Sequence, residues 1–249
     1  MKTDLELALE CVVNIYHQYA IKYPIDDYLS KTEFSELLKE TAKPFLHNTM
    51  PPNTSVDDYI SKLFTRADRN HDGRLKFTEF LTTLNLVAID AHNRSHQHHR
   101  SHDHHPDAGH GHDHGHGPNF CGYLKCSAMS ASTQPRTTLP ETRQFPGNCT
   151  LEMALETVVN VYHHYSIRDG QLDLLSFSDF QKLLTEQAPT FLQACDRNRH
   201  DYLNKLFKET DLNKDKELSF EEFTIILAKL TDDAHRISHR DDRCTPDKD

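Results

Sequence analysis

The stretch DRNHDGRLKFTE, at positions 68–79, decides how the rest of the chain is interpreted. Oxygen-bearing side chains stand at its first, third, fifth and twelfth positions, and a glycine at the sixth permits a sharp turn. This spacing arranges oxygen ligands around one Ca²⁺ ion in a twelve-residue EF-hand loop. The predicted ligands are Asp68, Asn70, Asp72, the backbone carbonyl of Arg74, and Glu79.

A second loop of the same type, DLNKDKELSFEE, occupies positions 211–222. Lys216 stands where the first loop has its glycine, so we expect backbone strain and weaker calcium binding here. The predicted ligands are Asp211, Asn213, Asp215, the backbone carbonyl of Glu217, and Glu222.

The two loops belong to two copies of one unit. LELALECVVNIYHQYAI at 5–21 and LEMALETVVNVYHHYSI at 151–167 are identical at twelve of seventeen positions. Each copy has roughly 95 residues, which is too long a period for a solenoid repeat. Apolar residues recur at three- and four-residue spacing, which predicts four helices in each copy.

Composition and charge limit the classes of function. The chain has 249 residues and a net charge of −10, without the basic cluster that nucleic-acid binding requires. No apolar run approaches the roughly 20 residues that span a bilayer. The first residues lack the features of a secretory signal, so we expect a cytosolic chain. We find no nucleophile elbow and no P-loop, and therefore predict no enzymatic activity.

The six cysteines show no CxxC spacing. Cys11 lies in a helical pattern, where we expect it to act as a small apolar side chain. A cytosolic location argues against a disulfide framework.

Histidines are concentrated in 92–116, which holds eleven of the nineteen in the chain. His92 and His96 stand four apart near the end of a predicted helix, as do His235 and His239 in the second copy. Such a pair can direct two imidazoles at one metal ion, although two solvated histidines would look the same. No HExxH motif accompanies them. The remainder, from His98 to His116, alternates with Gly, Asp and Pro, so we predict a disordered tail that supplies auxiliary ligands.

The first loop of each copy departs from the twelve-residue pattern, because 20–33 and 166–179 each span fourteen residues and end in a carboxylate. A fourteen-residue loop followed by a twelve-residue loop resembles the S-100 family. The motifs YHQYA and YHHYS and the histidines after the fourth helix resemble its calgranulin branch. The resemblance implies an all-α fold: two tandem four-helix EF-hand-pair domains packed as an antiparallel pseudo-dimer, formed within one chain or between two.

This resemblance divides the chain into a domain at 1–97, a His-rich tail at 98–117, a flexible linker at 118–149, a domain at 150–240 and a disordered C-terminus at 241–249. The linker is rich in Ser, Thr and Pro. It also contains Met129 and resembles neither domain, which leaves open that the tandem chain is a wrongly joined gene model.

The family also implies ligands that the spacing alone does not give. Carbonyls would bind calcium in the first loops, at Ala20, Tyr23, Ile25 and Tyr28 with the carboxylate of Glu33, and at Ser166, Asp169, Gln171 and Leu174 with that of Asp179. A histidine of the first helix and an acid of the first loop would complete a zinc site with the partner's histidine pair. The implied sites are His17, Asp27, His235 and His239, and His163, Asp173, His92 and His96.

Two functions follow as expectations. The first is a calcium-binding protein that sequesters zinc in innate immunity and inflammation, released from cells without a signal peptide. Copper would compete for its sites by the Irving–Williams order, and tail imidazoles would admit manganese. The second is an intracellular calcium sensor that exposes an apolar groove to receptor or target proteins, with Leu84, Val87, Ile226 and Leu230 in the groove.

Overall fold

The computed structural model of the protein describes residues 2–20, 27–100, 149–166, 173–197 and 199–241, with the side chains of 97–100 and 196 left out. The predictions for the tail beyond residue 100, for the linker up to residue 148 and for the C-terminus from residue 242 lie outside the described residues. So do four of the predicted first-loop ligands, Tyr23, Ile25, Asp169 and Gln171.

In the described residues, the first copy consists of five helices and one pair of two-residue strands, joined by loops. Its elements are α1 Asp4–Ala20, β1 Leu29–Ser30, α2 Lys31–Thr41, α3 Lys43–Thr49, α4 Val56–Ala67, β2 Arg74–Leu75 and α5 Phe77–Arg100. The short helix α3 was not predicted, and Pro44 stands in its first turn, where the missing N–H of proline is tolerated. The helix α5 carries the His92 and His96 pair and continues past them.

The second copy repeats this order. Its elements are α6 Leu151–Ser166, β3 Leu175–Ser176, α7 Phe177–Gln187, α8 Pro189–Gln193, a 3₁₀ turn at Ala194–Asp196, α9 His200–Thr210, β4 Glu217–Leu218 and α10 Phe220–His239. No helix in the described ranges is both long and apolar enough to cross a bilayer.

Short antiparallel strands join the two loops of each copy. Leu29 pairs with Leu75 in the first copy, and Leu175 pairs with Leu218 in the second. All four leucines are fully buried, so each strand pair is anchored in the core of its domain. The two loops of a copy therefore lie back to back, as in a paired EF-hand.

The two copies pack on each other through their first and last helices. The helix α1 contacts α6, and α5 contacts α10. In addition, α1 contacts α10 and α5 contacts α6. Leu5, Val12, Leu155 and Val158 are completely buried in this region. The prediction that the first and fourth helices form the contact between the copies is confirmed within one chain.

One cysteine prediction is wrong. Cys11, expected to be a simple apolar side chain, forms a disulfide with Cys149, which directly precedes α6. Their Cα atoms are 6.5 Å apart although 138 residues separate them. Packing of α1 against α6 brings the two sulfurs together, and nothing in the local sequence pattern announces such a long-range contact. Cys195 is also disulfide-bonded, so the expectation that the chain lacks disulfides is overturned.

Candidate metal centres

The calcium loop at 68–79 has its carboxylates turned inward. Asp68 and Glu79 are buried, at 7% and 3% exposure. The Asp68 side chain accepts from the backbone N–H groups of Asp72 and Gly73 at 3.2 and 3.1 Å. Glu79 Oε1 accepts from the N–H of Arg69 at 3.0 Å. Buried carboxylates that converge on one loop need a cation to offset their repulsion, and calcium prefers these oxygen ligands.

The loop at 211–222 has the same arrangement with one difference in its backbone. Asp211 and Glu222 are buried, and Asp211 Oδ1 has no hydrogen-bond partner among the described residues. Such an oxygen is suited to a metal ion. Lys216 adopts a φ of 70°, close to the 80° of Gly73 in the first loop. The expected strain at the sixth position is therefore present, because a side chain there occupies a left-handed conformation.

In the first loops only part of the predicted ligand set is described. Glu33 and Asp179 close these loops and also cap the helices that follow. Glu33 Oε2 accepts from the N–H and hydroxyl of Ser30 at 2.8 and 2.7 Å, and Asp179 Oδ2 accepts from those of Ser176 at 3.2 and 2.6 Å. Calcium ligation by the carbonyls of Ala20, Tyr28, Ser166 and Leu174 stays a prediction.

The first candidate transition-metal site, called the Asp27 site, joins the two copies. It consists of His17 from the end of α1, Asp27 from the first loop, and His235 and His239 from α10. The Nε2 atoms of His17 and His239 are 3.0 Å apart. Asp27 Oδ2 lies 3.2 Å from Nε2 of both His235 and His239, and Oδ1 lies 3.3 Å from Nε2 of His17.

The second candidate site, called the Asp173 site, is its counterpart. It consists of His92 and His96 from α5, His163 from α6, and Asp173. Asp173 Oδ2 lies 2.7 Å from Nε2 of His92, 3.3 Å from that of His96 and 2.9 Å from that of His163. In both sites one ligand atom per residue lies within 4.8 Å of all the others. All eight side chains implied by the family resemblance are therefore brought together in the predicted combinations.

These distances fit a metal ion. Zinc bonded at about 2.0–2.1 Å to four tetrahedral ligands separates those ligand atoms by about 3.3 Å. The Nε2 atoms of His235 and His163 are buried and have no hydrogen bond in suitable geometry among the described residues. Three imidazole nitrogens and one carboxylate oxygen are ligands that zinc accepts in proteins.

Aromatic rings that the sequence analysis did not single out hold the imidazoles in place. His235 stacks on Phe77 with ring centroids 3.9 Å apart, and His92 stacks on Phe220 at 4.2 Å. Each phenylalanine opens the last helix of the opposite copy. The signal was present in the sequence, since both stand at the tenth position of an EF-hand loop, but stacking across copies requires the fold to be known.

The charge states of the site residues favour metal binding. Burial alone raises the pKa of Asp27, but the imidazoles of His17 and His235 lower it by more, and the carboxyl stays ionised. The pKa of Asp173 is held low in the same way by His163, His92 and the hydroxyl of Ser166. Burial and the neighbouring His92 and His163 lower the pKa of His96, which favours the neutral ring that a metal requires.

Sequence comparisons agree with this architecture. The family described as "S-100/ICaBP type calcium binding domain" matches residues 5–49 and 151–195. "Protein S100-A8" from Rattus norvegicus is 38% identical over 91 residues, which are 36% of this chain and 96% of the relative. The chain belongs to the S-100 family.

Two further relatives of this S-100 protein also carry S-100 names. "Protein S100-A9" from Oryctolagus cuniculus is 37% identical over 94 residues, covering 38% of this chain and 70% of the relative. "Protein S100-A12" from Bos taurus is 34% identical over 93 residues, which are 36% of this chain and 97% of the relative. The protein is thus a calcium-binding S-100 protein of the calgranulin type, with two copies in tandem.

Proposed function

We propose that this S-100 protein sequesters zinc at the Asp27 and Asp173 sites, and that it acts in innate immunity and inflammation after release from cells. The proposal rests on one observation. At each of the two sites, three imidazoles and one carboxylate offer ligand atoms that lie within 4.8 Å of one another. Each of these sites takes a histidine and an aspartate from one copy and two histidines from the other.

The donor set favours storage of the metal over catalysis. Catalytic zinc sites keep three protein ligands and an open position for water, whereas four protein ligands close the coordination shell. No general base corresponding to the glutamate of HExxH accompanies either histidine pair in the sequence. A closed site that draws ligands from two domains holds its ion tightly, which is what sequestration requires.

Calcium binding is connected to these sites by a hydrogen-bonded tyrosine in each copy. The Tyr16 hydroxyl lies 2.7 Å from the carbonyl oxygen of Asp27 and 3.0 Å from that of Leu75, and its single proton is shared between these two acceptors. The Tyr162 hydroxyl contacts Asp173 and Leu218 in the same way, at 2.8 and 2.9 Å. Because Leu75 and Leu218 lie within the calcium loops, ordering of a loop by calcium would also fix the backbone of the zinc-site aspartate. We therefore propose that calcium raises zinc affinity.

The disulfide supports release from the cell. Disulfides persist in oxidising surroundings and are rare in the cytosol. The Cys11–Cys149 bond lies at the contact between the copies, so an extracellular environment would lock together the two halves that build the sites. Synthesis in the cytosol followed by release reconciles this bond with the expected localisation.

Calorimetric titration with zinc tests the proposal. On the full chain saturated with calcium we expect two tight equivalents, and weaker binding when calcium is removed. Growth of a zinc-requiring microbe should be suppressed by the protein and restored by added zinc. Absence of tight zinc binding in the presence of calcium would remove the proposal.

A second candidate function is that of a calcium sensor, favoured by a cavity of about 380 Å³ between α3, α4 and α5. Phe45, Leu63, Leu86 and Ile89 are among its lining residues. The residues that calcium binding is expected to expose in a groove, Leu84, Val87, Ile226 and Leu230, are buried in this structure, so their exposure stays a prediction. A calcium-dependent change in the binding of an apolar fluorescent probe, unaffected by zinc, would support the sensor.

A further inference from the structure

The two metal sites differ in what their aspartates contact. Ser166, the last residue of α6, is completely buried, and its hydroxyl donates to Asp173 Oδ1. This leaves Oδ2 alone to face the histidines, and all three Nε2 atoms lie within 3.3 Å of that oxygen. The serine thus holds one carboxylate oxygen away from the metal position.

At the Asp27 site the corresponding residue is Ala20, which has no hydroxyl. Both carboxylate oxygens of Asp27 therefore face imidazoles: Oδ1 lies 3.3 Å from His17, and Oδ2 lies 3.2 Å from His235. Asp27 Oδ1 is buried without a donor in hydrogen-bond geometry among the described residues. The Asp27 side chain is also more exposed than that of Asp173, at 32% against 14%.

The contact made by Ser166 is not the usual one for a hydroxyl inside a helix. Several buried hydroxyls of other helices donate to a carbonyl three or four residues earlier, as Thr41 does to Leu37 at 2.7 Å, Thr210 to Leu206 at 2.8 Å and Thr224 to Glu221 at 2.7 Å. Ser166 instead donates to a side chain seven residues further along the chain. Its hydroxyl is therefore directed at the metal site and does not merely satisfy the helix end.

We propose that Ser166 is a positioning residue that restricts Asp173 to a single metal bond, and that its absence at Ala20 lets Asp27 bind through both oxygens. The inference rests on the proposed function and deepens it. The Asp173 site then holds a four-coordinate ion and selects zinc, whereas the Asp27 site accepts five ligands. Manganese prefers more oxygen ligands and a higher coordination number than zinc, so the Asp27 site discriminates less between the two.

The effect of Ser166 on metal affinity can be estimated from other metal sites in which a neighbouring group orients a ligand side chain. Removing a group that orients a metal-binding side chain typically costs 10–100-fold in affinity. We expect Ser166→Ala to lower the ratio of zinc to manganese affinity at the Asp173 site by about tenfold. Ala20→Ser should raise the ratio of zinc to manganese affinity at the Asp27 site, because the new hydroxyl can donate to Asp27 Oδ1.

Cobalt(II) provides a readout of coordination number, since four-coordinate cobalt absorbs visible light much more strongly than five-coordinate cobalt. The full chain carrying His17→Asn retains only the Asp173 site, and the chain carrying His163→Asn retains only the Asp27 site. We expect an intense cobalt spectrum in the first and a weaker one in the second. Ser166→Ala should weaken the first spectrum, and Ala20→Ser should strengthen the second.

The outcomes separate this inference from the proposed function. If neither single-site chain binds cobalt or zinc, the proposed function fails and this inference fails with it. If both bind, but their spectra agree and neither substitution alters them or the zinc-to-manganese ratio, the role of Ser166 is overturned while sequestration stands. Unchanged helical circular dichroism in both substituted chains confirms that a spectral change reports the metal site and not the fold.

Discussion

The Nε2 atoms of His17 and His239 lie 3.0 Å apart, although 222 residues separate them in the chain. One is on the first helix of the first copy and the other is near the end of the last helix of the second. Neither copy alone can build this contact, so the metal site depends on correct packing of the two domains.

Alanine substitutions should remove the zinc sites one at a time. His17→Ala or His239→Ala should eliminate one of two tight zinc equivalents, and His163→Ala should eliminate the other, because three ligands bind zinc much more weakly than four. Calorimetry should show affinity at the altered site reduced by about 100-fold or more. Calcium titration should be unchanged.

A neighbouring histidine gives the matched control. His164 follows His163 directly but is exposed and belongs to neither site. His164→Ala should retain both equivalents, and loss of zinc binding there would show that the ligands have been assigned incorrectly.

The calcium loops should depend on their buried glutamates. Glu79→Gln removes one negative charge from a side chain that is only 3% exposed, and should weaken calcium binding at that loop by about tenfold or more. The corresponding change at the second copy is Glu222→Gln. Isothermal titration in the absence of zinc measures both, and Glu209→Gln, outside the loops, serves as a control that should leave calcium affinity unchanged.

Backbone strain at Lys216 should be measurable. Lys216→Gly removes the side chain that strains a left-handed backbone conformation. We expect the unfolding free energy to rise by about 1 kcal/mol and calcium to bind more tightly at the second loop. Gly73→Lys is the reciprocal change. A Cβ atom at Gly73 would meet nothing within 4 Å, so any loss comes from its φ and not from a clash. Equal stability of all three chains would contradict this explanation.

The tyrosine bridges should transmit calcium binding to the zinc sites. Tyr162→Phe removes the hydroxyl that contacts Asp173 and Leu218, and we expect the calcium-induced gain in zinc affinity to fall by about fivefold, the value of one hydrogen bond of about 1 kcal/mol. Tyr59→Phe is the control, because that hydroxyl contacts Thr49, away from both sites. The same loss in both variants would point to a general effect on stability.

The disulfide should stabilise the assembled pair of domains. Cys149→Ser breaks the bond at a partly buried position and should lower the unfolding free energy by about 3–5 kcal/mol, because the bond closes a long loop in the unfolded chain. Chemical denaturation measures the difference. Under reducing conditions the variant and the original chain should become nearly equal, and a difference that persists there would have to come from the serine itself.

Much of the fold could be predicted because its signals are local. The loop at 68–79 carries every calcium ligand within twelve residues, and helical periodicity places helices on either side of it. The pairs His92–His96 and His235–His239 are visible because residues four apart share a helix face. The ligands that complete each site came from a family resemblance, since no local pattern connects His17 with His239.

The features that could not be predicted are contacts between distant segments. The Cys11–Cys149 bond, the stacking of His235 on Phe77 and the hydrogen bond from Ser166 to Asp173 all depend on how elements pack. Each involves a residue type that commonly has another role, such as a core phenylalanine or a helix-terminal serine. Only coordinates distinguish these roles.

Diffraction at the zinc absorption edge tests the central claim most directly. Crystals of the full chain grown with calcium and zinc should give two anomalous peaks. One should be bonded to His17, Asp27, His235 and His239, and the other to His92, His96, His163 and Asp173 at about 2.0–2.2 Å. Peaks confined to other histidines, or two domains whose ligand sets lie far apart, would contradict it.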